Sequence, residues 1–498
     1  MAMRREIGLL GLTFVAVGGV LGSGWLFAPL LASQIAGPAA LVAWAIGAVA
    51  MLLLALAYAE VTAMFPVAGG LARIPQFSHG RLLAMVLGWS AWAGYCTTAP
   101  IEVEAALRYA STWIPGLHTG AGDGLTPVGF VVAIVLMLAF TVLNAFGVAL
   151  FARVNAALTW LKLAVPAIFV IVILATSFET ENFTAQGFAP FGVSGIFAAV
   201  ASGGIAFAFL GFRHAIDMAG ETRNPQVTIP LALILAIVIC FVVYGAVQFA
   251  FIGALPPEEL AGGWAKVEAD NALGPLGALA TALGALWLVS LLNAAAVISP
   301  FGGALVSVGS NGRLAMAIAE NGFFPRLFAS LTSRGVPMMA LLLNFAVATA
   351  LFLTMPFNEL VALNGSALVL SFIAGPATVV ALRRLAPDYP RSFRLPFATV
   401  LGAAGFVIAA MMIYWSGWDT MWRLVVLIGI GFVLLAIRLA VTGRQELDVR
   451  GAAWIVPFLV ALAVLSLLGG FGGGMGVVPA PFDSLAVAAV ALATFVFA

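Results

Sequence analysis

The stretch that decides the fold is Gly18-Gly19-Val20-Leu21-Gly22-Ser23-Gly24, set inside an apolar run from Ile7 to Leu31. Four glycines in seven residues do not belong in a stable helix, where each costs about 1 kcal/mol relative to alanine. Lipid offers an unwound peptide group no partner, so such backbone is tolerated at membrane depth only where it lines a protein-enclosed or watery cavity. The break is therefore read as one half of a binding site.

Working outward, 63% of the 498 residues are hydrophobic and 8% are charged, whereas a soluble chain has about 25% charged residues. Apolar spans of ~20 residues recur from end to end, which predicts one polytopic helical bundle and not several soluble domains. Helices are expected near 8–33, 39–65, 82–106, 127–148, 154–176, 194–218 and 229–253, then near 274–306, 337–355, 360–384, 397–416, 421–441, 452–470 and 483–498. Arg4 and Arg5 precede an apolar run that is too long for a signal peptide and lacks a cleavage site, so this run is read as the first membrane helix. Cys96 and Cys240 fall in apolar spans and are expected as two buried thiols.

Cytoplasmic loops hold the excess of Lys and Arg. With the N-terminus inside, sixteen of the 21 basic residues fall on the cytoplasmic side and three on the other. Arg313, Arg326 and Arg334 are expected in a loop that sets this topology. The net charge of +1 decides nothing by itself.

Five helices after the first break, Ser202-Gly203-Gly204-Ile205-Ala206-Phe207-Ala208-Phe209-Leu210-Gly211-Phe212 again puts glycines and aromatics in mid-span. Interrupted helices at matching places in two halves point to an inverted-repeat carrier with its site at the midplane. Close helix packing is the alternative reading of either run alone; the five-helix offset favours the site.

Four blocks carry a resemblance: Gly18 to Pro29, Tyr58 to Gly70, Phe207 to Pro230 and Asn311 to Phe328. Together they resemble the amino acid–polyamine–organocation (APC) permeases, over most of the first ten helices. The resemblance implies an all-α integral membrane protein with the leucine-transporter fold: a 5+5 inverted repeat, discontinuous helices 1 and 6, and about 14 transmembrane helices. Residues 1–384 would form the transport core, with repeat one at 8–176 and repeat two at 194–384. Residues 385–498 would be accessory helices, supported by hydropathy alone.

The chemistry of a broken helix supports that implication. Amides of the second half-helix lose their intrahelical carbonyls and present the positive end of the dipole, which suits a carboxylate. By resemblance Gly22, Ser23 and Gly24 would hold a substrate α-carboxylate, and carbonyls near Val20, Phe207 and Leu210 would accept from its α-ammonium. Phe207 aligns with the aromatic that caps the substrate in this family; lipid- or core-facing packing is its other reading.

An ionisable residue inside a span is a functional candidate by default. Lys162 lies one turn before Pro166 in the fifth helix, and a lysine without water around it can exchange a proton near neutral pH. In proton-coupled members of the family a lysine here replaces a sodium ion, so Lys162 is expected to couple proton flow; snorkelling to the interface is the alternative. Glu60, His214 and Asp217 are secondary candidates, with structural roles as their alternatives. Many relatives carry a glutamate where this chain has Arg213. A cation facing the cavity disfavours cationic substrates and favours acidic or neutral ones; pairing with Asp217 one turn on is its other reading. Aspartate–proton symporter-like members carry Arg here, and their third helix resembles Pro100-Ile101-Glu102-Val103-Glu104. Glu102 and Glu104 are expected at the outer mouth, in water.

The expected function is proton-coupled uptake of an acidic or neutral L-amino acid by alternating access, in the cell membrane. An exchanger or a neutral or cationic amino acid permease is the alternative, and an embedded enzyme or a non-transporting sensor is a further one. No metal cluster, nucleophile–base set or phosphate loop is apparent in the sequence, so no organic cofactor or metal is expected; the coupling ion is a proton, with sodium as the alternative. Expected partners are the amino acid and membrane lipid, with no nucleic acid, in a monomer or homodimer.

Overall fold

The computed structural model describes residues 4–22, 24–119, 124–267, 274–442 and 447–498; for residues 201, 202, 207, 358, 362, 366 and 442 it describes the backbone alone. The described residues form helices joined by turns, and β-pairing among them is confined to two isolated bridges.

The opening apolar run gives two helices, α1 (Leu9–Val20) and α2 (Gly24–Ala36), followed by α3 (Ala40–Met64), the short α4 (Gly70–Arg73) and α5 (Gln76–Ala110). Next come α6 (Pro127–Ala145) and α7 (Val148–Thr176). The second interrupted span is α8 (Gly192–Ser202), α9 (Ile205–Ala208), a 3-10 turn at Leu210–Phe212 and α10 (Arg213–Asp217). Beyond it lie α11 (Pro225–Ala254), the short α12 (Pro257–Leu260), α13 (Gly274–Ala282) and α14 (Leu286–Glu320). The chain ends with α15 (Met338–Thr354), the abutting pair α16 (Phe357–Phe372) and α17 (Ala374–Leu385), then α18 (Ala398–Trp415), α19 (Trp418–Thr442), α20 (Ile455–Leu468) and α21 (Phe482–Phe497).

Among the described residues eight helical segments are long and apolar enough to cross a membrane, and four shorter ones are apolar. Their patterning is that of a multi-pass membrane protein, with the apolar face outside. On α6, Val128, Val131, Val135, Leu138 and Val142 are exposed at helical spacing while Thr141 and Asn144 are buried. On α7, Trp160, Ile171 and Leu174 face outward and Asn155, Thr159 and Lys162 face in. Polar groups turned inward must find partners inside, and Gln248 on α11 shows how. Its Nε2 donates to Pro29 O at 3.1 Å and Ser33 Oγ at 2.8 Å, and its Oε1 accepts from Trp44 Nε1 at 3.0 Å, tying α2 and α3 to α11.

Three sequence expectations change. The span expected at 274–306 is two helices, parted at Gly284 (φ +69°), and α14 runs on to Glu320. Arg313 is therefore no loop residue: it is 1% exposed on α14, and its Nη2 donates to Glu221 Oε1 at 3.0 Å. Helix α5 begins at Gln76, six residues before its expected start, and bends at Gly80 (φ +82°). Cys96 and Cys240 are both buried and unbridged, as expected.

The N-terminal segment pairs with the chain that follows α10. Ile7 N–H donates to Glu221 O at 3.0 Å, and Arg223 N–H donates to Ile7 O at 2.8 Å.

Candidate functional site

A helix that ends in mid-membrane leaves carbonyls that nothing in the helix can satisfy. At the end of α1 the Leu21 N–H still reaches Val17 O at 2.8 Å, but Gly22 N–H turns to Val20 O at 2.9 Å and abandons Gly18 O. Lys162 Nζ, from α7, donates to that carbonyl at 2.7 Å. One and two turns earlier on the same face of α7, Thr159 Oγ1 and Asn155 Nδ2 donate to Phe14 O at 3.3 and 2.9 Å. Ser299 Oγ, on α14, bridges Leu21 O and Gly22 O, 3.0 Å from each. The break is thus closed by side chains of α7 and α14, and it places an ammonium at the carbonyl end of a half-helix, where the dipole favours a cation.

The second break begins at Gly204, whose φ of +81° suits glycine. The two breaks cross in direct backbone contact. A methyl group on Gly211 would overlap the carbonyl carbon of Gly19 and the amide of Val20, and one on Gly19 would overlap the His214 ring. Tyr244 of α11 spans the crossing, its hydroxyl 2.9 Å from Val20 O and 3.4 Å from Ala208 O. The Tyr244 ring stacks on Trp44 at 4.6 Å, and Phe209 packs edge-on to both.

The structure brings Val20, Gly22, Lys162, Leu210, Arg213 and His214 into this buried region; Gly24 opens α2 beside it. Ser23 and the Phe207 side chain lie outside the described residues. Arg213 is 4% exposed and does not pair with Asp217 among the described residues. Its Nη1 donates to Leu210 O at 3.1 Å and its guanidinium lies 4.7 Å over the Tyr95 ring. Asp217 instead accepts from Tyr95 O–H at 2.6 Å and Leu71 N–H at 3.2 Å, so Tyr95 stands between the two charges. His214 Nδ1 is 2.9 Å from Ser310 Oγ on α14.

Glu60 is elsewhere. It is buried at the end of α3, accepting from Arg383 Nε at 3.0 Å, Arg383 Nη2 at 2.7 Å and Leu395 N–H at 2.7 Å, with Arg391 Nε 3.2 Å away. These contacts fasten α3 to α17 and the segment after it.

Sequence reasoning missed three contributors: Tyr244, Ser299 and Glu102. The expectation that Glu102 sits in water at the outer mouth is corrected. Its Oε1 would lie 2.5 Å from a methyl group on Gly22, and its Cδ would lie 3.2 Å from one on Gly303. The available signal was a carboxylate inside a span, two residues after Pro100. Ser299, beside Pro300 in an apolar span, carried a weaker one.

The sequence model of amino acid permeases matches residues 7–435. The chain belongs to the amino acid permease family. This permease is 35% identical to the aspartate-proton symporter of Bacillus subtilis (strain 168), over 99% of its own length and 96% of that protein. It is also 35% identical to the glutamate/serine transporter AimA of the same organism, over 100% of its length and 94% of the relative. The branched-chain amino acid permease BcaP of B. subtilis is 27% identical over 87% of this chain and 92% of that one. At the level of the family, this permease is a carrier and not an enzyme.

Proposed function

We propose that this permease takes up an acidic or neutral L-amino acid together with a proton, by alternating access. One observation carries the reading: the buried Lys162 Nζ holds the Gly18 carbonyl abandoned at the first break. A proton leaving that nitrogen would remove both the charge and a donor from the break, which links protonation to the shape of the site. The α-carboxylate is received at Gly22, Ser23 and Gly24, where the second half-helix begins; the Gly22 N–H, here turned to Val20 O, swings to the carboxylate as it arrives. Leu210 O carries a second lone pair beyond the one used by Arg213, and with Phe207 O and Val20 O, which here accepts from both Tyr244 O–H and Gly22 N–H, it receives the α-ammonium. His214 and Asp217 are the secondary proton-path candidates, and the proton is the coupling ion.

The side chain of the substrate is read by charge. Arg213 is a buried cation at the second break, which disfavours lysine, arginine and diamines. Two relatives over the full chain are named for aspartate and for glutamate and serine. More distant ones are named cationic amino acid transporters, including a human protein 29% identical over 78% of this chain; exchange, or a cationic substrate, is therefore the second reading. The architecture that goes with this function is the 5+5 inverted repeat of residues 8–176 and 194–384, followed by accessory helices. It has fourteen spans in the cell membrane and a cytoplasmic N-terminus.

A thermal-shift screen of amino acids on the purified protein, followed by uptake into proteoliposomes, tests the proposal. Aspartate or a neutral amino acid should stabilise the protein more than arginine does, and an inward proton gradient should concentrate it. Lys162→Ala should abolish that accumulation. Stronger stabilisation by arginine would overturn the substrate reading, and accumulation by Lys162→Ala would overturn the coupling role.

A further inference from the structure

Two consecutive glycines on α14 seat two opposite charges against the first break. Lys162 Cε and Nζ lie 2.8 Å from where a methyl group on Gly302 would be, and Glu102 Cδ lies 3.2 Å from that position on Gly303. The ammonium then reaches Gly18 O, and the carboxylate reaches the backbone of Gly22. One side chain thus lies at the end of α1, and the other lies where the chain turns towards α2. The remaining titratable groups around them are Tyr244 and Cys240 of α11, with His214 and Arg213 of α10 beyond Lys162. Among the described residues neighbouring α14 presents neutral hydroxyls, Ser299 at Leu21 O and Gly22 O and Ser310 at His214 Nδ1.

We propose that Glu102 is the group that takes up the proton accompanying the substrate carboxylate. The inference rests on the reading of Gly22 and Gly24 as the carboxylate site. In the empty site Lys162 compensates an ionised Glu102. An arriving α-carboxylate puts a second anion at Gly22, while Arg213, beyond Lys162, is engaged with Leu210 O and the Tyr95 ring. Two carboxylates this close cannot both stay ionised away from water. The proton comes from the outer solution and bonds to a Glu102 carboxylate oxygen as the amino acid enters. It leaves to the inner solution when the amino acid departs. No bond in the substrate changes, and one carboxylate enters with one proton. Lys162 keeps its proton while the amino acid binds, holding Gly18 O and fixing the charge that Glu102 answers; the loss of that proton proposed above belongs to the later step that reshapes the break.

The test is proton uptake on binding, read with a pH indicator in weakly buffered detergent solution of the full chain, with L-aspartate, L-glutamate and L-alanine as probes. The wild type should take up close to one proton per amino acid bound. Its Kd should tighten by about tenfold per pH unit of acidification wherever empty-site Glu102 is ionised. Glu102→Gln carries an amide in place of the protonated acid, so its Kd should be independent of pH, its proton uptake should vanish, and its proteoliposomes should exchange amino acid without concentrating it. Glu102→Asp should restore proton uptake. Unchanged proton uptake in Glu102→Gln overturns the inference. So does a wild type that binds aspartate with no pH dependence, whatever becomes of the variants. A wild type that binds none of the three amino acids overturns the substrate reading itself, and this inference with it.

Discussion

At the scale of single residues, the site is a ledger of carbonyls. Ser299 holds two of them and Lys162 a third, and each lies where water cannot substitute. Ser299→Ala removes the one hydroxyl hydrogen that Leu21 O and Gly22 O share; leaving a buried acceptor unsatisfied costs about 1–3 kcal/mol. The variant should therefore unfold in detergent at a Tm several degrees below the wild type, as measured by tryptophan fluorescence. Ser299→Cys, which keeps a weak donor, should recover part of the loss. Little of this ledger was legible in the sequence. Lys162 stood out because a charge in an apolar span is conspicuous. A serine or tyrosine there is not, and Ser299 and Tyr244 meet their carbonyls across 278 and 224 residues of chain. Glu102 was conspicuous as a residue and misplaced in depth, because hydropathy locates a span without locating the break beside it.

At the scale of elements, both interruptions could be read directly, since a run of glycines in an apolar span marks either a break or a close helix crossing. What hydropathy could not supply is that the two interruptions touch. Gly211 meets the backbone of Gly19 and Val20, which cannot yield as a flexible side chain would. Gly204 has open space around it and a strained φ alone. Gly211→Ala should therefore be the more damaging substitution, costing about 1–3 kcal/mol by overpacking and abolishing uptake. Gly204→Ala should cost about 1 kcal/mol and leave measurable transport. Equal damage from the two would argue against a backbone crossing. Helix boundaries were legible to within a few residues except at α5 and α7, which each begin six residues early, at Gly284, which parts an expected span, and in α14, which runs past its expected end to Glu320.

For the whole molecule, two buried carboxylates fasten one end of the bundle: Glu221 to Arg313 of α14, and Glu60 to Arg383 and Arg391. Glu60→Ala leaves Arg391, whose side chain is 3% exposed, bonded to backbone carbonyls with no anion in an ion pair with it among the described residues. Breaking a buried pair from one side costs about 3–5 kcal/mol. This variant should be less stable than Ser299→Ala, Gly204→Ala or Gly211→Ala, while proton uptake per amino acid bound stays at the wild-type value in whatever protein remains folded. The proposed cytoplasmic N-terminus places that end inside the cell. A membrane-impermeant maleimide on intact cells should label Glu181→Cys and spare Ser330→Cys, both at exposed positions; the reverse pattern would invert the topology.

The strip where Ile7 exchanges peptide hydrogen bonds with Glu221 and Arg223 then acts as a latch. Two such bonds contribute about 1–3 kcal/mol together, a preference of roughly 5- to 150-fold for the arrangement in which the N-terminal segment is held against the chain that follows α10 over one in which it is released. A carrier trimmed to begin after Ile7 should leak: amino acid would run down its own gradient faster, and the accumulation ratio that a fixed proton gradient sustains would fall.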